Sequence, residues 1–393
     1  MNETIYMPVG EVCSSISDTY REKKNMVTLI NTSDVLEGRI LNHERVPNSN
    51  LKGQFKKTFQ RDDILYSEIR PQNRRFAYVD FSPIDYIAST KLMVIRAKKD
   101  VVSPKYLYYF LKNSSTVAEL QLLAETRSGT FPQITFSEVA NLTIPVPPLA
   151  VQEVIVQTMQ CLEDKTICNE QINDNLEQQA QSYFQELFVD NADPEWTTGT
   201  ISDLGTVVGG STPSKAKPEY YTESGIAWIT PKDLSNNKSK FVSHGENDIT
   251  ELGLRNSSAS IMPEGTVLFS SRAPIGYIAI AAGEVTTNQG FKSVVPKPEI
   301  GTPFVYFFLK NTLPVIEGMA SGSTFKEVSG STMKNVPAVI PDAETLAKFS
   351  DFCAPIFAQQ RILEEQNQSL ATLRDNLLPK LMSGEIDVSA VQL

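Results

Sequence analysis

The stretch PDAETLAKFSDFCAPIFAQQRILEEQNQSLATLRDNLLPKLM, residues 341–382, decides the fold of this chain. Within it, apolar residues recur seven positions apart at Phe349, Ile356, Leu363, Leu370 and Leu377. A single apolar row of period seven indicates a helix that packs along a narrow seam against one partner helix, as in a coiled coil. Taken alone, the row is equally typical of an amphipathic helix at a protein surface.

An earlier stretch, PPLAVQEVIVQTMQCLEDKTICNEQINDNLEQQAQSYFQELF at residues 147–188, repeats this pattern. A shift of 194 positions turns the apolar row into Ile155, Leu162, Asn169, Leu176 and Tyr183. Two copies in the same register favour two helices that pack on each other and hold two halves of the protein together. The residues predicted for this seam are Leu162, Asn173, Leu176, Leu187, Leu363, Asn367, Leu370, Leu377 and Leu381.

The rest of the chain is also duplicated. The sequence YYFLKN at 108–113 recurs as YFFLKN at 306–311, and ILYS at 64–67 recurs as VLFS at 267–270. The offset falls from 203 to 198 and then to 194 along the chain, so the order of the segments is kept while loop lengths differ. A duplication of this kind predicts two copies of one architecture.

Each copy is predicted to mix strands and helices. Alternating apolar residues at 64–67, 76–79 and 92–95 indicate strands, and Pro104 and Pro303 each mark the start of a helix. The predicted fold class is therefore α+β, with globular domains at residues 1–147 and 193–341. Spacer helices are predicted within 148–192 and 342–393, the second followed by a tail after Gly384.

The net charge of −10 is unevenly distributed. Residues 1–146 carry +3 and residues 194–341 carry −1, whereas the helical segments 147–193 and 342–393 carry −8 and −4. This division fits a protein that meets DNA with its globular parts and a protein partner with its helices. Acidic helices that only face solvent would give the same distribution.

Several classes of function find no support in the sequence. There is no apolar stretch of 18 residues and no N-terminal secretion signal, so we expect a cytoplasmic protein without a membrane span. The chain has no GxxxxGK[ST] phosphate loop, no glycine fingerprint after a strand, and no Asn/Asp-Pro-Pro-Tyr/Phe motif of adenine methyltransferases. The cysteines Cys13, Cys161, Cys168 and Cys353 lack metal-site spacing. We predict no catalytic residue and no metal site.

Clusters of basic and amide side chains instead predict a DNA-recognition surface. Arg, Gln and Asn can make paired contacts with base edges, while lysines and hydroxyls serve phosphates. In the first half the candidates are Lys52, Lys56, Lys57, Arg61, Arg70, Gln72, Asn73, Arg74 and Arg75. In the second half they are Ser211, Thr212, Ser214, Lys215, Lys217, Ser270, Ser271, Arg272, Ser323, Thr324 and Lys326.

The motifs of the second half resemble those of the specificity (S) subunits of type I restriction–modification systems. The matching segments are GSTPS at 210–214, IAWIT at 226–230 with Asp233-Leu234, GTVLFSSR at 265–272 with Ile275-Gly276, Asn288-Gln289, and LLPKLMSG at 377–384. The resemblance covers essentially the full length. The first half lacks a clear GSTPS-like loop after Val9-Gly10-Glu11-Val12.

The resemblance implies a fold and a set of partners. It implies two target recognition domains that each read one half of a bipartite site on double-stranded DNA, related by a pseudo-twofold axis. It implies that the two helices pack antiparallel, act as a spacer, and dock two modification (methyltransferase) subunits, to which restriction (endonuclease and translocase) subunits are added. S-adenosylmethionine, ATP and Mg are then expected in the partner subunits and not in this chain.

Two other classes of protein stay open at this point. The chain could be a self-sufficient enzyme with unfamiliar motifs, which binding of S-adenosylmethionine by the isolated chain would favour. It could also be a coiled-coil scaffold that never touches DNA, which a lack of sequence preference would favour.

Overall fold

A computed structural model of the protein describes residues 4–22, 24–48, 53–127, 130–322 and 326–388. The chain divides into two compact units. Unit 1 comprises residues 1–166 and 369–393, and unit 2 comprises residues 167–368. Each unit therefore contains one globular segment and a part of each long helix.

The globular segment of unit 1 is built from short strands and helices. Its strands are β1 (Ile5–Pro8), β2 (Cys13–Ile16), β3 (Met26–Ile30), β4 (Val35–Leu36), β5 (Arg39–Ile40), β6 (Arg45–Pro47), β7 (Phe55–Lys57), β8 (Ile64–Ser67), β9 (Phe76–Tyr78), β10 (Tyr86–Ser89), β11 (Leu92–Ala97) and β12 (Thr143–Val146). Its helices are α1 (Val9–Val12), α2 (Pro104–Lys112), α3 (Ser114–Arg127) and α4 (Phe136–Ala140). The long helix α5 (Leu149–Gln185) follows and ends in a π-helical turn, Glu186–Asp190.

Unit 2 repeats this plan. Its strands are β13 (Thr197–Thr200), β14 (Gly205–Gly209), β15 (Tyr221–Thr222), β16 (Ile226–Ile229), β17 (Phe241–Val242), β18 (Asn247–Ile249), β19 (Val267–Ser271), β20 (Ile275–Ala281), β21 (Thr286–Thr287), β22 (Lys292–Pro296) and β23 (Pro337–Ile340). Its helices are α6 (Ile201–Leu204), α7 (Pro231–Asn236), α8 (Glu251–Arg255), α9 (Thr302–Gly318) and α10 (Gly330–Lys334), followed by the long α11 (Ala343–Ser383).

The sheets of the two units share the order of their central strands and differ at their edges. Unit 1 has a sheet β2-β11-β8-β9, and unit 2 has β14-β22-β19-β20-β17. The second sheets are β6-β3-β10-β7 and β15-β18-β16-β21, with a parallel pair at β3–β10 and at β16–β21. A two-stranded ribbon, β1–β12 or β13–β23, joins the start of each globular segment to its end. The predicted duplication is confirmed at the level of strand pairing.

The central strand of each unit divides its interior into two hydrophobic cores. In β8, Ile64 and Tyr66 belong to the core packed against the helices, whereas Leu65 belongs to a second core behind the sheet. In β19, Phe269 and Leu268 divide in the same way. Successive side chains of a strand point to opposite faces, so a strand buried on both faces is mostly apolar. This explains why the apolar character of ILYS recurs in VLFS.

The long helices run antiparallel within each unit. In unit 2, Asn169 Nδ2 donates a hydrogen bond of 2.8 Å to Asn367 Oδ1, and the rings of Tyr183 and Phe352 lie 4.5 Å apart. In unit 1, Leu381 at the end of α11 enters the core that also contains residues from the start of α5. The predicted class, α+β with two repeated domains and two long helices, is confirmed.

The predicted seam residues face inward. Leu363 and Leu381 are buried, and the others are half-buried: Leu162, Asn173, Leu176, Leu187, Asn367, Leu370 and Leu377. Repeat-equivalent residues do not pair with each other, because antiparallel helices bring together positions whose numbers run in opposite directions. Asn367 thus pairs with Asn169 and not with its repeat equivalent Asn173. Asn173 Oδ1 is buried without a hydrogen-bond partner in the described part of the chain.

Among the described residues, no helix is both long enough and apolar enough to cross a bilayer.

Candidate nucleic-acid interface

A fixed backbone frame follows the central strand of unit 2. The N–H of Ser271 donates to Gly290 O at 2.7 Å, and the N–H of Val328 donates to Ser271 O at 3.0 Å. The next residue, Arg272, forms an antiparallel bridge with Glu327. Ala273 then takes a left-handed conformation with φ 52° before Pro274. This frame holds the Arg272 side chain at the edge of the sheet.

Unit 1 has the same frame. The N–H of Glu68 donates to Lys91 O at 3.0 Å, and the N–H of Ile134 donates to Glu68 O at 2.9 Å. Ile69 bridges Gln133, and Arg70 is left-handed with φ 43° before Pro71. The structural equivalent of Arg272 is therefore Ile69, and the equivalent of Arg70 is Ala273. Arg70 and Arg272 are therefore not structurally equivalent: Arg70 lies one residue later in its frame than Arg272 does.

A cleft of about 470 Å³ opens beside Arg272 in unit 2. Arg272 is partly exposed, and its Nη1 lies 3.4 Å from Glu327 Oε2. Lys292 Nζ lies 3.9 Å from the other oxygen of Glu327, and burial lowers the pKa of Lys292. The cleft is lined by Thr212, Lys215, Trp228, Thr230, Pro231, Lys232, Asp233, Glu246, Asn247, Arg272, Ala273, Asn288, Gln289 and Gly290.

The loop at 211–217 forms another wall of this cleft. Its backbone is pinned, because Ser211 N–H donates to Thr287 O at 2.9 Å and Trp228 Nε1 donates to Ser211 O at 2.9 Å. The Thr212 hydroxyl donates to Gln289 Oε1, which fixes the amide of Gln289. Ser214, Lys215 and Lys217 are exposed at the tip, where they can reach phosphates.

Arg272 also lines a second cleft, of about 730 Å³. This cleft is lined by Arg272, Ala273, Pro274, Ile275, Glu317, Lys326 and Glu327. Lys326 is exposed there, whereas the predicted contacts Ser323 and Thr324 lie outside the described residues.

Ser270 and Ser271 require a correction, because both are fully buried. The Ser270 hydroxyl donates to Pro274 O at 2.9 Å and accepts from Tyr277 N–H at 2.8 Å. The Ser271 hydroxyl donates to Gly290 O at 3.1 Å. In this geometry these serines do not present a surface to DNA; they hold the loop that presents Arg272.

In unit 1, some residues of the predicted cluster are exposed, and others make hydrogen bonds within the protein. Arg70, Gln72 and Asn73 are exposed around the 3-10 turn Pro71–Asn73. By contrast, Arg74 Nη2 donates to Ser114 Oγ at 2.9 Å, and Arg75 Nη1 donates to Ser33 O at 3.0 Å. The two engaged guanidiniums buttress the turn that carries the three exposed side chains.

The lysine run of unit 1 divides in the same way. Lys56 on β7 is exposed, and Arg61 is exposed beyond the end of that strand. Lys57 Nζ donates to Thr90 O at 3.1 Å and to Leu92 O at 2.8 Å, and burial lowers the pKa of Lys57. Lys57 thus serves the fold first, and a phosphate contact by it stays a prediction. Lys52 lies outside the described residues.

Sequence reasoning missed some polar residues that line the 470 Å³ cleft. Asn247 lies on β18, Lys232 lies on α7 and Asn288 lies in a loop, so no local cluster marks them. The pair Asn288-Gln289 belongs to the family-like motifs, and that was the available signal. Arginine and amide side chains around one cleft suit the reading of base edges. In the described part of the chain, no group of three or more His, Cys, Asp or Glu could hold a metal ion.

Comparison with known proteins gives a consistent result. The model of the family described as type I restriction modification DNA specificity domain matches residues 6–178 and again residues 194–373. The specificity subunit of the type I restriction enzyme HindI from Haemophilus influenzae is 29% identical, over 92% of this chain and 94% of that protein. The MjaIX specificity subunit from Methanocaldococcus jannaschii is 39% identical over 194 residues, covering 47% of this chain and 45% of that one.

A solved structure supports the fold. The S subunit of a type I restriction–modification system from M. genitalium superposes with a TM-score of 0.54, at 17% identity, over 97% of this chain and 96% of that chain. The fold and the doubled match define the class, which is a specificity subunit with two DNA-recognition domains. The chain belongs to the type I restriction–modification DNA specificity family. The resemblance seen in the sequence is confirmed, and a subunit of this kind acts on DNA together with other subunits.

Proposed function

We propose that unit 1 and unit 2 each read one half of a bipartite DNA site. The observation that carries this proposal is the duplicated backbone frame after β8 and β19, which presents different side chains in the two units. One frame presents Arg70, Gln72 and Asn73, and the other presents Arg272 beside Gln289. Identical frames with different side chains are what two independent half-sites require, since base contacts specify while the scaffold only positions.

The long helices are the proposed docking surface for two modification subunits, which restriction subunits then join. The helical segments carry −8 and −4, in contrast with the globular segments. They also expose apolar side chains: Ile167 is 39% and Ile172 is 40% exposed in unit 2, and Leu373 is 49% exposed in unit 1. Apolar residues within an acidic surface suit a protein partner and not a nucleic acid.

Catalysis is assigned to those partners. Methyl transfer from S-adenosylmethionine and ATP- and Mg-dependent cleavage would take place there, since this chain lacks the phosphate-loop and methyltransferase motifs. This chain supplies the sequence specificity of the complex for DNA. A self-sufficient methyltransferase would instead bind S-adenosylmethionine as the isolated chain, and isothermal titration calorimetry measures this directly.

The experiment for the bipartite site is methylation-motif sequencing of DNA from cells that carry this chain with its modification subunits. We expect two specific blocks separated by a gap of unread bases. Cells with the modification subunits alone are the control and should show no such motif. A single continuous block, or methylation without any sequence preference, would contradict the proposal.

We also propose that the length of the helices sets the number of unread base pairs between the two half-sites. A helix rises about 1.5 Å per residue, so seven added residues extend it by about 10 Å, or roughly three base pairs. Inserting one heptad after Glu170 and a matched one after Glu364 keeps the seven-residue register. The expected variant methylates both half-sites across a gap widened by up to about three base pairs. An active variant with the original gap would show that the helices do not set the distance.

A further inference from the structure

The loop after the central strand of unit 2 contains an ion pair at its surface. Arg272 Nη1 lies 3.4 Å from Glu327 Oε2, and the backbones of the two residues form a bridge. The equivalent bridge of unit 1 joins Ile69 to Gln133. The charged pair is therefore a property of one unit and not of the shared fold.

Stability does not account for this pair. The side chains of Arg272 and Glu327 are each 39% exposed, and ion pairs open to solvent contribute little to folding. A carboxylate at a surface that meets DNA also repels phosphates. Lys292 offsets part of this charge, because its Nζ lies 3.9 Å from Glu327 Oε1 and its side chain is 16% exposed. The arrangement balances the carboxylate locally and leaves it in contact with the arginine.

Among the described residues, Glu327 is the hydrogen-bond partner of the Arg272 guanidinium, and most of the guanidinium donors are left available. Arginine has five N–H donors in one plane, and Glu327 engages Nη1. Arg272 lines both clefts of unit 2, so its remaining donors face space that a base edge could occupy. An arginine binds guanine through O6 and N7 in the major groove, and a side chain already held in place loses less freedom when it does so.

We propose that Glu327 is a positioning residue that directs Arg272 towards a guanine in the half-site read by unit 2. This inference rests on the proposed function. It adds that the base read by Arg272 is a guanine and that Glu327 orients the arginine for this contact. Because Ile69 and Gln133 occupy the equivalent positions, unit 1 makes no arginine–guanine contact from that point of its frame.

The test uses the full chain in complex with its modification subunits. Methylation-motif sequencing and competition binding are carried out on the wild type, Arg272→Ala, Glu327→Ala, Glu327→Gln, and the double variant of Arg272→Ala with Glu327→Ala. Gln133→Ala, at the equivalent position of unit 1, is the matched control. Amide hydrogen exchange of β19, or of β8 for Gln133→Ala, shows that the altered unit is folded in each variant.

We expect Arg272→Ala to remove the preference for one guanine, a loss of discrimination of roughly 5- to 150-fold. Glu327→Ala should weaken the preference for that same guanine by a smaller factor than Arg272→Ala does, because the arginine is present but no longer held by a charged partner. Glu327→Gln should restore part of the preference, since the amide oxygen still accepts the bond. In the Arg272→Ala background, removing Glu327 should change nothing further at that base pair.

The inference is overturned if Glu327→Ala keeps the full guanine preference, or if its effect is unchanged when Arg272 is already absent. It is equally overturned if the base pair that responds to Arg272→Ala is not a guanine–cytosine pair. Loss of all sequence preference in the wild-type complex would be a different result, and it would remove the proposed function itself.

Discussion

The two units share a backbone frame and differ in the charges placed on it. At the loop after the central strand, unit 2 has Arg272 and Glu327 where unit 1 has Ile69 and Gln133. The backbone hydrogen bonds that support these positions are alike in both units, at 2.7–3.0 Å. The comparison indicates that the duplicated scaffold tolerates changes in the side chains that face solvent while its own bonding stays fixed.

The two units also differ in the number of lysines that bond a half-buried glutamate of the first long helix. In unit 1, Glu163 accepts hydrogen bonds from Lys112 and from the Tyr109 hydroxyl, the latter at 2.8 Å. In unit 2, Glu177 is bonded by Lys310, by the Tyr306 hydroxyl at 3.1 Å, and also by Lys240 at 2.7 Å.

Lys240 is almost fully buried, and its Nζ lies 3.5 Å from the centre of the Phe357 ring. Burial lowers the pKa of Lys240 to about 8, although Glu177 acts in the opposite direction. Burial alone would raise the pKa of Glu177, but the ammonium groups of Lys240 and Lys310 outweigh it and hold that pKa below its ordinary value. Unit 2 therefore depends on one carboxylate for two ammonium groups.

The largest expected effect is a difference in stability loss when the half-buried glutamate of each unit is replaced by alanine. Glu177→Ala would leave the buried Lys240 without its charged partner, and we expect it to destabilise unit 2 by about 3–5 kcal/mol. Glu163→Ala removes the partner of one lysine and should destabilise unit 1 by about 1–3 kcal/mol. Amide hydrogen exchange of β19 and β8 reports on the two units separately.

An exposed ion pair provides the control for this comparison. Glu251 pairs with Arg255 at 3.7 Å, and both side chains are more than two-thirds exposed. Glu251→Ala should leave exchange in β19 close to that of the wild type, because exposed pairs contribute little. Equal losses from Glu163→Ala and Glu177→Ala would contradict the distinction between the units.

A second prediction sharpens the comparison of repeat-equivalent positions in the helices. Asn173→Leu removes a buried oxygen without a hydrogen-bond partner and should stabilise unit 2 by up to about 2 kcal/mol. Asn367→Leu should destabilise it by about 1–3 kcal/mol, since Asn169 loses its acceptor at 2.8 Å. Denaturant titration of the full-length variants measures both. Effects of the same sign would mean that the two asparagines play equivalent roles.

A third prediction concerns the change of stability with pH. Between about pH 8 and the ordinary lysine value of 10.5, Lys240 is more protonated in the unfolded chain than in the folded one. Stability rises with pH wherever the unfolded state binds more protons. The stability of the wild type relative to Lys240→Met should therefore rise across that window, by at most about 1.4 kcal/mol per pH unit. A difference that stays constant from pH 7 to 10 would show that the lysine titrates normally.

The architecture was predictable because its signals are periodic or repeated. Residues buried on both faces of β8 and β19, and the seven-residue row from Phe349 to Leu377, are fixed by packing and therefore leave a pattern in the sequence. The helix α11 ends at Ser383, directly before Gly384 with φ 79°, as the glycine at 384 predicts.

The details of the surface were less predictable, because they depend on contacts between distant segments. Ser270 and Ser271 have hydroxyl groups of the kind that bind phosphates, but these hydroxyls donate hydrogen bonds to the carbonyl oxygens of Pro274 and Gly290. Lys57 lies in a basic run, yet it is bonded to carbonyl groups of residues more than thirty positions away. The Glu177–Lys240 pair joins a helix to a strand edge 63 residues further along the chain, and nothing local in the sequence marks it.

The central claim is that each unit reads its own half-site, and paired arginine variants test it most directly. Arg272→Ala and Arg70→Ala are compared by methylation-motif sequencing of the complete complex. We expect each to relax one block of the motif and leave the other intact, with Arg272→Ala and Arg70→Ala affecting different blocks by about 1–3 kcal/mol where a paired base contact is lost. Relaxation of both blocks by either variant, or of the same block by both, would contradict the claim.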